Sequence, residues 1–245
     1  IMIIGAFTGT LFIYFMQKNG LLSGYPLLIV AMLISTLSGM LFAAFHAFAS
    51  INMSADQTIS GTALNLFAPP IVIFVARAIV GVQQVPFKNE WRIREVPGLS
   101  KIPILGPMFF KNTYLTTLIG IIILLVTHYV LFHTKFGLRL RSAGENPHAT
   151  DAAGISVQKM RYSGVLLSGA LGGLGGLIYI IPITTSFNGT VAGDGFLAMA
   201  VLIFGQWRPA RIALAAFFFG LLQAVSAGCA GISFFKNLGI PQVYF

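Results

Sequence analysis

From Leu115 to Phe132 the chain carries no Asp, Glu, Lys or Arg, and most of its side chains are aliphatic or aromatic. A helix needs about 20 such residues to cross the hydrocarbon core of a bilayer. Further apolar segments repeat the pattern, and the whole chain of 245 residues is 56% hydrophobic but only 9% charged, where an ordinary soluble domain carries roughly 25% charged residues. The mean hydropathy is +0.86. These features predict an all-α fold, a polytopic integral membrane helical bundle forming a single transmembrane domain over residues 1–245.

Seven apolar segments are legible: about Ile1–Met16, Pro26–Ser50, Gly61–Val80, Thr113–His133, Arg161–Ile181, Phe196–Trp207 and Ile212–Ala227. Pro26 suits a first helical turn, where its missing N–H is harmless. Pro69 and Pro70 fall mid-span and predict a kinked or broken helix. The Phe196 segment is short for a full crossing and is expected to be re-entrant. Residues 82–112, rich in Pro and Gly with an aromatic at Trp91, read as an external loop, and residues 134–160 as a second polar loop. The apolar start, without a basic leader, and the tail beyond Ala227, broken by Gly239 and Pro241, predict a fragment truncated at both ends.

A net charge of +9 would suggest nucleic-acid binding in a soluble chain; here it fits basic membrane loops and contact with lipid head groups, and no nucleic-acid partner is expected. The positive-inside rule does not orient the helix Thr113–His133, because Lys88, Arg92, Arg94, Lys101 and Lys111 on one side balance Lys135, Arg139, Arg141, Lys159 and Arg161 on the other. Arg208 and Arg211, two apolar segments later, favour a cytoplasmic 134–160 loop. Cys229 is the only cysteine, so no intrachain disulfide can form.

Within that loop, Gly144-Glu145-Asn146-Pro147-His148-Ala149-Thr150-Asp151-Ala152-Ala153-Gly154-Ile155 predicts a helix of about two turns with both ends marked. Asn146 is a favoured N-cap, Pro147 suits the first helical position, and Gly154 can take the left-handed conformation that ends a helix. So short a helix needs a surface to hold it, either its own bundle or a partner.

The run Arg139-Leu140-Arg141-Ser142-Ala143-Gly144-Glu145-Asn146-Pro147, followed by Ala152-Ala153-Gly154-Ile155, resembles the cytoplasmic signature of the permease family serving ribose, branched-chain amino acid and nucleoside ABC importers. Ala55–Leu66, Ile102–Pro107, Gly195-Phe196 and Val201–Gly205 are similar to the second permease subunit of bacterial nucleoside importers that depend on a substrate-binding lipoprotein. The resemblance implies a multi-pass protein of the bacterial inner membrane whose short helix is a coupling helix. Glu145, Asn146, Pro147, His148, Ala149, Asp151, Ala152, Ala153 and Gly154 would then dock on a separate ATPase subunit. It also implies a second permease, as a paralogue, an extracytoplasmic lipoprotein and a nucleoside-like solute. No Gly-Lys pair occurs for a GxxxxGK[ST] phosphate loop. No cofactor is therefore expected on this chain, and ATP and Mg would sit on the partner.

Polar side chains within the bilayer are costly and tend to face a cavity. His46, Asn52, Asp56, Gln57 and Asn65 are accordingly the candidates for a substrate pathway. Asn52 and Asp56, like Gly61 and Asn65, are four apart and would share a helix face. Asp56 and its neighbours equally suit the capping of a broken helix, and both roles can hold together. Gly164, Ser168, Gly172 and Gly176 form a small-residue ridge for helix packing, with Gly169 and Gly173 beside it. Asp194 reads as an N-cap. His128 and His133 lack companion ligands for a metal site and read as interfacial.

Two other classes compete. A stand-alone secondary transporter or channel would need ion-coupling groups, and only Asp56 is a plausible intramembrane acid. A membrane enzyme would need a nucleophile, an acid–base pair or a metal set at one interface, and no such constellation is present in the sequence.

Overall fold

The computed structural model describes residues 1–95 and 111–228. Its helices among those residues are α1 (Met2–Asn19), α2 (Gly24–Ala47), α3 (Gln57–Val80), α4 (Leu115–His133), α5 (Lys135–Glu145), α6 (Pro147–Ala152), α7 (Val157–Ile183), α8 (Asp194–Phe204) and α9 (Pro209–Gly228). A π-helical turn, Phe48–Asn52, extends α2. Among the described residues, five helices are long and apolar enough to cross a membrane: α2 with its extension (Gly24–Asn52), α3, α4, α7 and, within α9, Pro209–Ser226. The chain is thus a polytopic helical bundle, as the run of apolar segments predicts. The described residues up to 192 form one compact unit and those from 193 a second.

The first unit is built on α1, α2 and α7, and their contact is made by absent side chains. On α2 the buried residues Ala31, Ser35, Gly39, Ala43 and Ala47 recur at every fourth position. A Cβ on Gly39 would lie 2.7 Å from the Cα of Gly173, and a Cβ on Gly173 would lie 2.8 Å from the Cα of Gly39. Those are backbone atoms that cannot rotate away, so only glycine fits at either position. Gly5 of α1 meets the Gly173 backbone in the same way. At this crossing the buried Ser35 hydroxyl lies 2.8 Å from the Gly5 carbonyl and 2.7 Å from the Gly173 carbonyl. Lipid tails are as apolar as leucine, so burial gives no preference for helix over lipid; close backbone packing and such hydrogen bonds must hold the helices together. Thr8 and Ser38, whose hydroxyl oxygens are 2.6 Å apart, add a second polar link between α1 and α2.

The ridge on α7 lies differently from its expected position. The glycines in closest approach are Gly169, Gly173 and Gly176, whereas Gly164 meets Leu140, Gly172 meets only Ile1, and Ser168 is exposed. A strict four-residue spacing advances about 400° per step, so a straight ridge drifts around the helix. The contact face follows mixed steps of four and three, and Gly176 is where ridge and face meet.

The elements joining α1, α2, α3 and α7 form a cap at one end of this unit. Strand β1 (Val85–Pro86) pairs antiparallel with β4 (Ser186–Phe187), and β2 (Arg92–Glu95) pairs antiparallel with β3 (Lys111–Tyr114), which leads into α4. Buried Trp91 donates its indole N–H to the Gly24 carbonyl at 2.7 Å. The Gln17 amide closes on the Lys88 backbone from both sides, at 2.8 Å and 2.9 Å. Asn89 donates to the Ile181 carbonyl at 2.5 Å, an acceptor in the last turn of α7 that has no intrahelical donor. Ile102–Pro107 in the middle of this loop, Cys229 and the chain beyond it lie outside the described residues.

Of the kink or break that Pro69 and Pro70 predict in α3, the break is not found: the helix is continuous through both. The interruption comes earlier, between α2 and α3, where the π-helical turn gives way to Ser54 at φ 52°.

The second unit is a helical hairpin. Helix α8 has 11 residues, a length of about 16 Å or half the hydrocarbon core. Its turn into α9 passes through Gln206 and Trp207, both with positive φ, and Gly205 packs on the Ile212 backbone. Asp194 is not the N-cap: Gly193 at φ 85° takes that place and Asp194 stands in the first turn.

Candidate functional site

Two groups of functional candidates lie at the end of the first unit opposite the cap. The first is α6. Asn146 stands in extended backbone, φ −144° and ψ 92°, and its side-chain oxygen accepts from the Ala149 N–H at 3.0 Å. Pro147 fills the first helical position, where a donor would go unused. The helix ends as Gly154 turns to φ 77°, its N–H reaching the Asp151 carbonyl at 2.8 Å. Only Thr150 is buried; its hydroxyl donates back to the Asn146 carbonyl at 2.9 Å. Glu145, His148, Ala149, Asp151, Ala152, Ala153 and Gly154 all face outward, and Pro147 is half-buried. A helix of six residues is far below the length that is stable alone. Here its caps and the single anchor of Thr150 hold it, leaving most of its surface open.

Helix α5 supplies the mount. Thr134 caps it, accepting from the Gly137 N–H at 3.2 Å, and Gly137 packs directly on the carbonyls of Val130 and Leu131. The resulting turn folds α5 sharply from the end of the spanning α4. Arg141 stacks over the Phe132 ring at 4.7 Å, and Leu140 packs against Gly164 of α7.

The second group surrounds the elbow between α2 and α3. Asp56 is the N-cap of α3, accepting from the N–H groups of Thr58 at 2.7 Å and Ile59 at 3.0 Å. These backbone donors, Ile59 first, hold its carboxyl below the ordinary carboxylate range, so it is ionised at neutral pH. Asn52 and Asp56 do not share a helix face, because the π-helical turn and Ser54 intervene. Instead Asn52 accepts a 2.5 Å hydrogen bond from the Tyr162 hydroxyl in the second turn of α7. His46 reaches across the elbow to Ser60, with 3.0 Å between Nδ1 and Oγ.

Gln57, Gly61 and Asn65 follow one another on a single face of α3, which continues as Ala68, Val72 and Ala76. The last three are buried against the bundle, whereas Gln57 and Asn65 are exposed. Gly61 looks toward the His46 ring, 4.0 Å from where a Cβ would stand. One inward face thus changes from packed and apolar to open and polar along its length. Pro69 and Pro70 lack the N–H groups that the carbonyls of Asn65 and Leu66 would otherwise accept, so backbone acceptors add to the polarity at that level.

Sequence reasoning missed Ser35, Gly5 and Gly39 at the crossing, Trp91 as the anchor of the cap, and Tyr162. The small residues of α2 at every fourth position carried the signal for the crossing. Nothing local marks Tyr162. Among the described residues, no cluster of three or more His, Cys, Asp or Glu could hold a metal ion.

The family model described as branched-chain amino acid transport system / permease component matches residues 1–242. The chain belongs to that permease family. It is 42% identical to the guanosine ABC transporter permease protein NupQ of Bacillus subtilis, over the whole chain and 76% of the relative. It is 43% identical to the nucleoside ABC transporter permease protein NupC of Lactococcus lactis, over 80% of the chain and 62% of the relative. A putative glucose ABC transporter permease protein, TsgC13 of Haloferax volcanii, is 31% identical over 83% of the chain and 62% of its own length. No solved structure matches. The permease is a multi-pass protein of the bacterial plasma membrane.

Proposed function

We propose that this permease is the membrane-spanning subunit of an ATP-driven nucleoside importer. Its likeness to guanosine and nucleoside permeases, unbroken along the chain, is the observation that carries the reading. The geometry agrees with a division of labour in which this chain moves the solute and another hydrolyses ATP. Helix α6 is locally capped, barely anchored and open on most of its surface, which suits a rod received by a groove on a separate ATPase. ATP and Mg belong to that partner.

In this reading α5 and α6 face the cytoplasm and the Trp91 cap faces outward, toward a substrate-binding lipoprotein. The likeness to second permease subunits supports pairing with a paralogue. The open polar face of Gln57, Gly61 and Asn65, with His46, Asn52 and Asp56 at the elbow, forms part of the solute path. Amides and carbonyls there can hydrogen-bond a ribose or a base edge.

Two measurements test the reading. Deleting Asn146–Gly154 should abolish co-purification of the ATPase chain while the permease stays in the membrane; retained association would refute the docking role. Uptake of labelled nucleosides and sugars by cells lacking the subunit should show a selective loss of nucleosides. Loss of sugars alone would favour the second reading, a sugar permease, which the likeness to the putative glucose permease supports. Asn65→Ala should slow uptake at unchanged expression, and unaltered uptake would remove Asn65 from the path.

A further inference from the structure

Tyr162 joins two parts of the first unit that the chain itself separates by more than a hundred residues: the α2–α3 elbow and the start of the helix that follows α6. Its hydroxyl donates to Asn52 at 2.5 Å. Among the described residues this is the one side-chain hydrogen bond between the elbow, 48–60, and the α5–α7 segment. The remaining side-chain hydrogen bond between α2 and α7, from Ser35 to the Gly173 carbonyl, lies three turns further along α7.

Both ends of the bond are placed to matter. Four residues separate α6 from α7, and Ser156 caps α7 by accepting from the Lys159 N–H at 3.4 Å. Tyr162, in the second turn, therefore travels with the end of α7 nearest to α6. Asn52 ends the π-helical turn, two residues before Ser54 in left-handed backbone at φ 52° and four before the Asp56 cap. This is the least regular backbone between α2 and α3. It is also where a small displacement re-aims His46, Asp56 and Gln57 together, since π-turns and left-handed non-glycine residues hold their shape only through surrounding contacts.

We propose that Tyr162 is a positioning residue that ties the α2–α3 elbow to the coupling segment, so that movement of α6 reaches the solute path through the Tyr162–Asn52 bond. The inference rests on the reading of α6 as the ATPase-docking helix. It adds a specific route, carried by one hydroxyl and one amide oxygen.

The test uses the full complex with ATPase, partner permease and binding protein in proteoliposomes, measuring guanosine uptake and ATP hydrolysis in one preparation. Tyr162→Phe keeps the ring and deletes the donor. It should lower uptake about fivefold, the worth of one hydrogen bond, with hydrolysis and subunit composition unchanged, so that more ATP is consumed per guanosine. Asn52→Leu should do the same, and the double variant should be no worse than either single one. Wild-type ATP per guanosine in Tyr162→Phe, or additive losses in the double variant, would overturn the inference.

Failure of the wild-type complex to take up guanosine would instead count against the nucleoside reading. A second measurement covers that case without any solute. On a Cys229→Ser background, Asn52→Cys with Tyr162→Cys should cross-link through a short bifunctional thiol reagent in equal yield in nucleotide-free and vanadate-trapped complex, because a tie moves its two ends together. No cross-link, or a yield lost in one of the two states, overturns the proposal.

Discussion

Adding one methyl group at Gly173 should weaken this protein more than most single changes in its membrane helices. In Gly173→Ala the new Cβ would stand 2.8 Å from the Cα and 3.1 Å from the N of Gly39, where ordinary contact requires about 3.5–4.0 Å. Helices α2 and α7 must therefore part by about 1 Å. A gap of that size forfeits a quarter to a half of each dispersion contact along the face, and overpacking of this kind costs about 1–3 kcal/mol. The Ser35 hydroxyl, 2.7 Å from the Gly173 carbonyl, would lose part of a hydrogen bond worth about 0.6 kcal/mol in membranes. The expected total is about 2–3 kcal/mol. Gly175→Ala is the matched control, since nothing lies within 4 Å of where its Cβ would stand, and it should stay within about 0.5 kcal/mol of the parent. Reversible unfolding in mixed micelles, followed by tryptophan fluorescence, measures both. Equal midpoints for the two variants would refute the view that backbone contact at residue 173 holds the bundle.

Three further outcomes are expected. Asn146→Ala should cost α6 about 1 kcal/mol, read as faster amide exchange at Ala149 and weaker ATPase co-purification, whereas Asn146→Asp should retain both. Trp91→Phe removes the indole N–H from the Gly24 carbonyl and should cost about 1–3 kcal/mol, with faster proteolysis of the loop it anchors as the readout. Because Asp56 titrates below the ordinary carboxylate value of 3.8 when folded, its cap is fully present above that value and is lost as the pH falls through the depressed one. Exchange protection at Thr58 and Ile59 should follow that course, and in Asp56→Asn it should not change with pH.

What the sequence made legible was local. The caps of α6 could be read because Asn146, Pro147 and Gly154 act on their own backbone, within one or two turns. The spanning segments were readable because a bilayer sets their length and composition. The face of α7 was displaced by one residue, since spacing alone cannot say how a ridge drifts against a neighbour until Gly39 and Gly173 are brought together. Pro69 and Pro70 predicted a kinked or broken helix, and α3 continues through both at the cost of two carbonyls without their usual donors. The elbow fell instead at Ser54, where no proline or glycine stands. Its bond from Tyr162 to Asn52 spans residues far apart in the chain, and nothing in either neighbourhood announces it.

The crossing at Gly39 and Gly173 also fixes what motion α7 can make. Tyr162 stands eleven residues to one side of Gly173 and Ile181 eight to the other, arms of about 16 Å and 12 Å at 1.5 Å per residue. A straight rod held at such a fulcrum see-saws: an inward push at its Tyr162 end swings the Ile181 end outward by about three quarters as much. Ile181 is where Asn89 fastens the cap, so the two mouths of the bundle are geared in opposite senses by a pair of residues with no side chains at all.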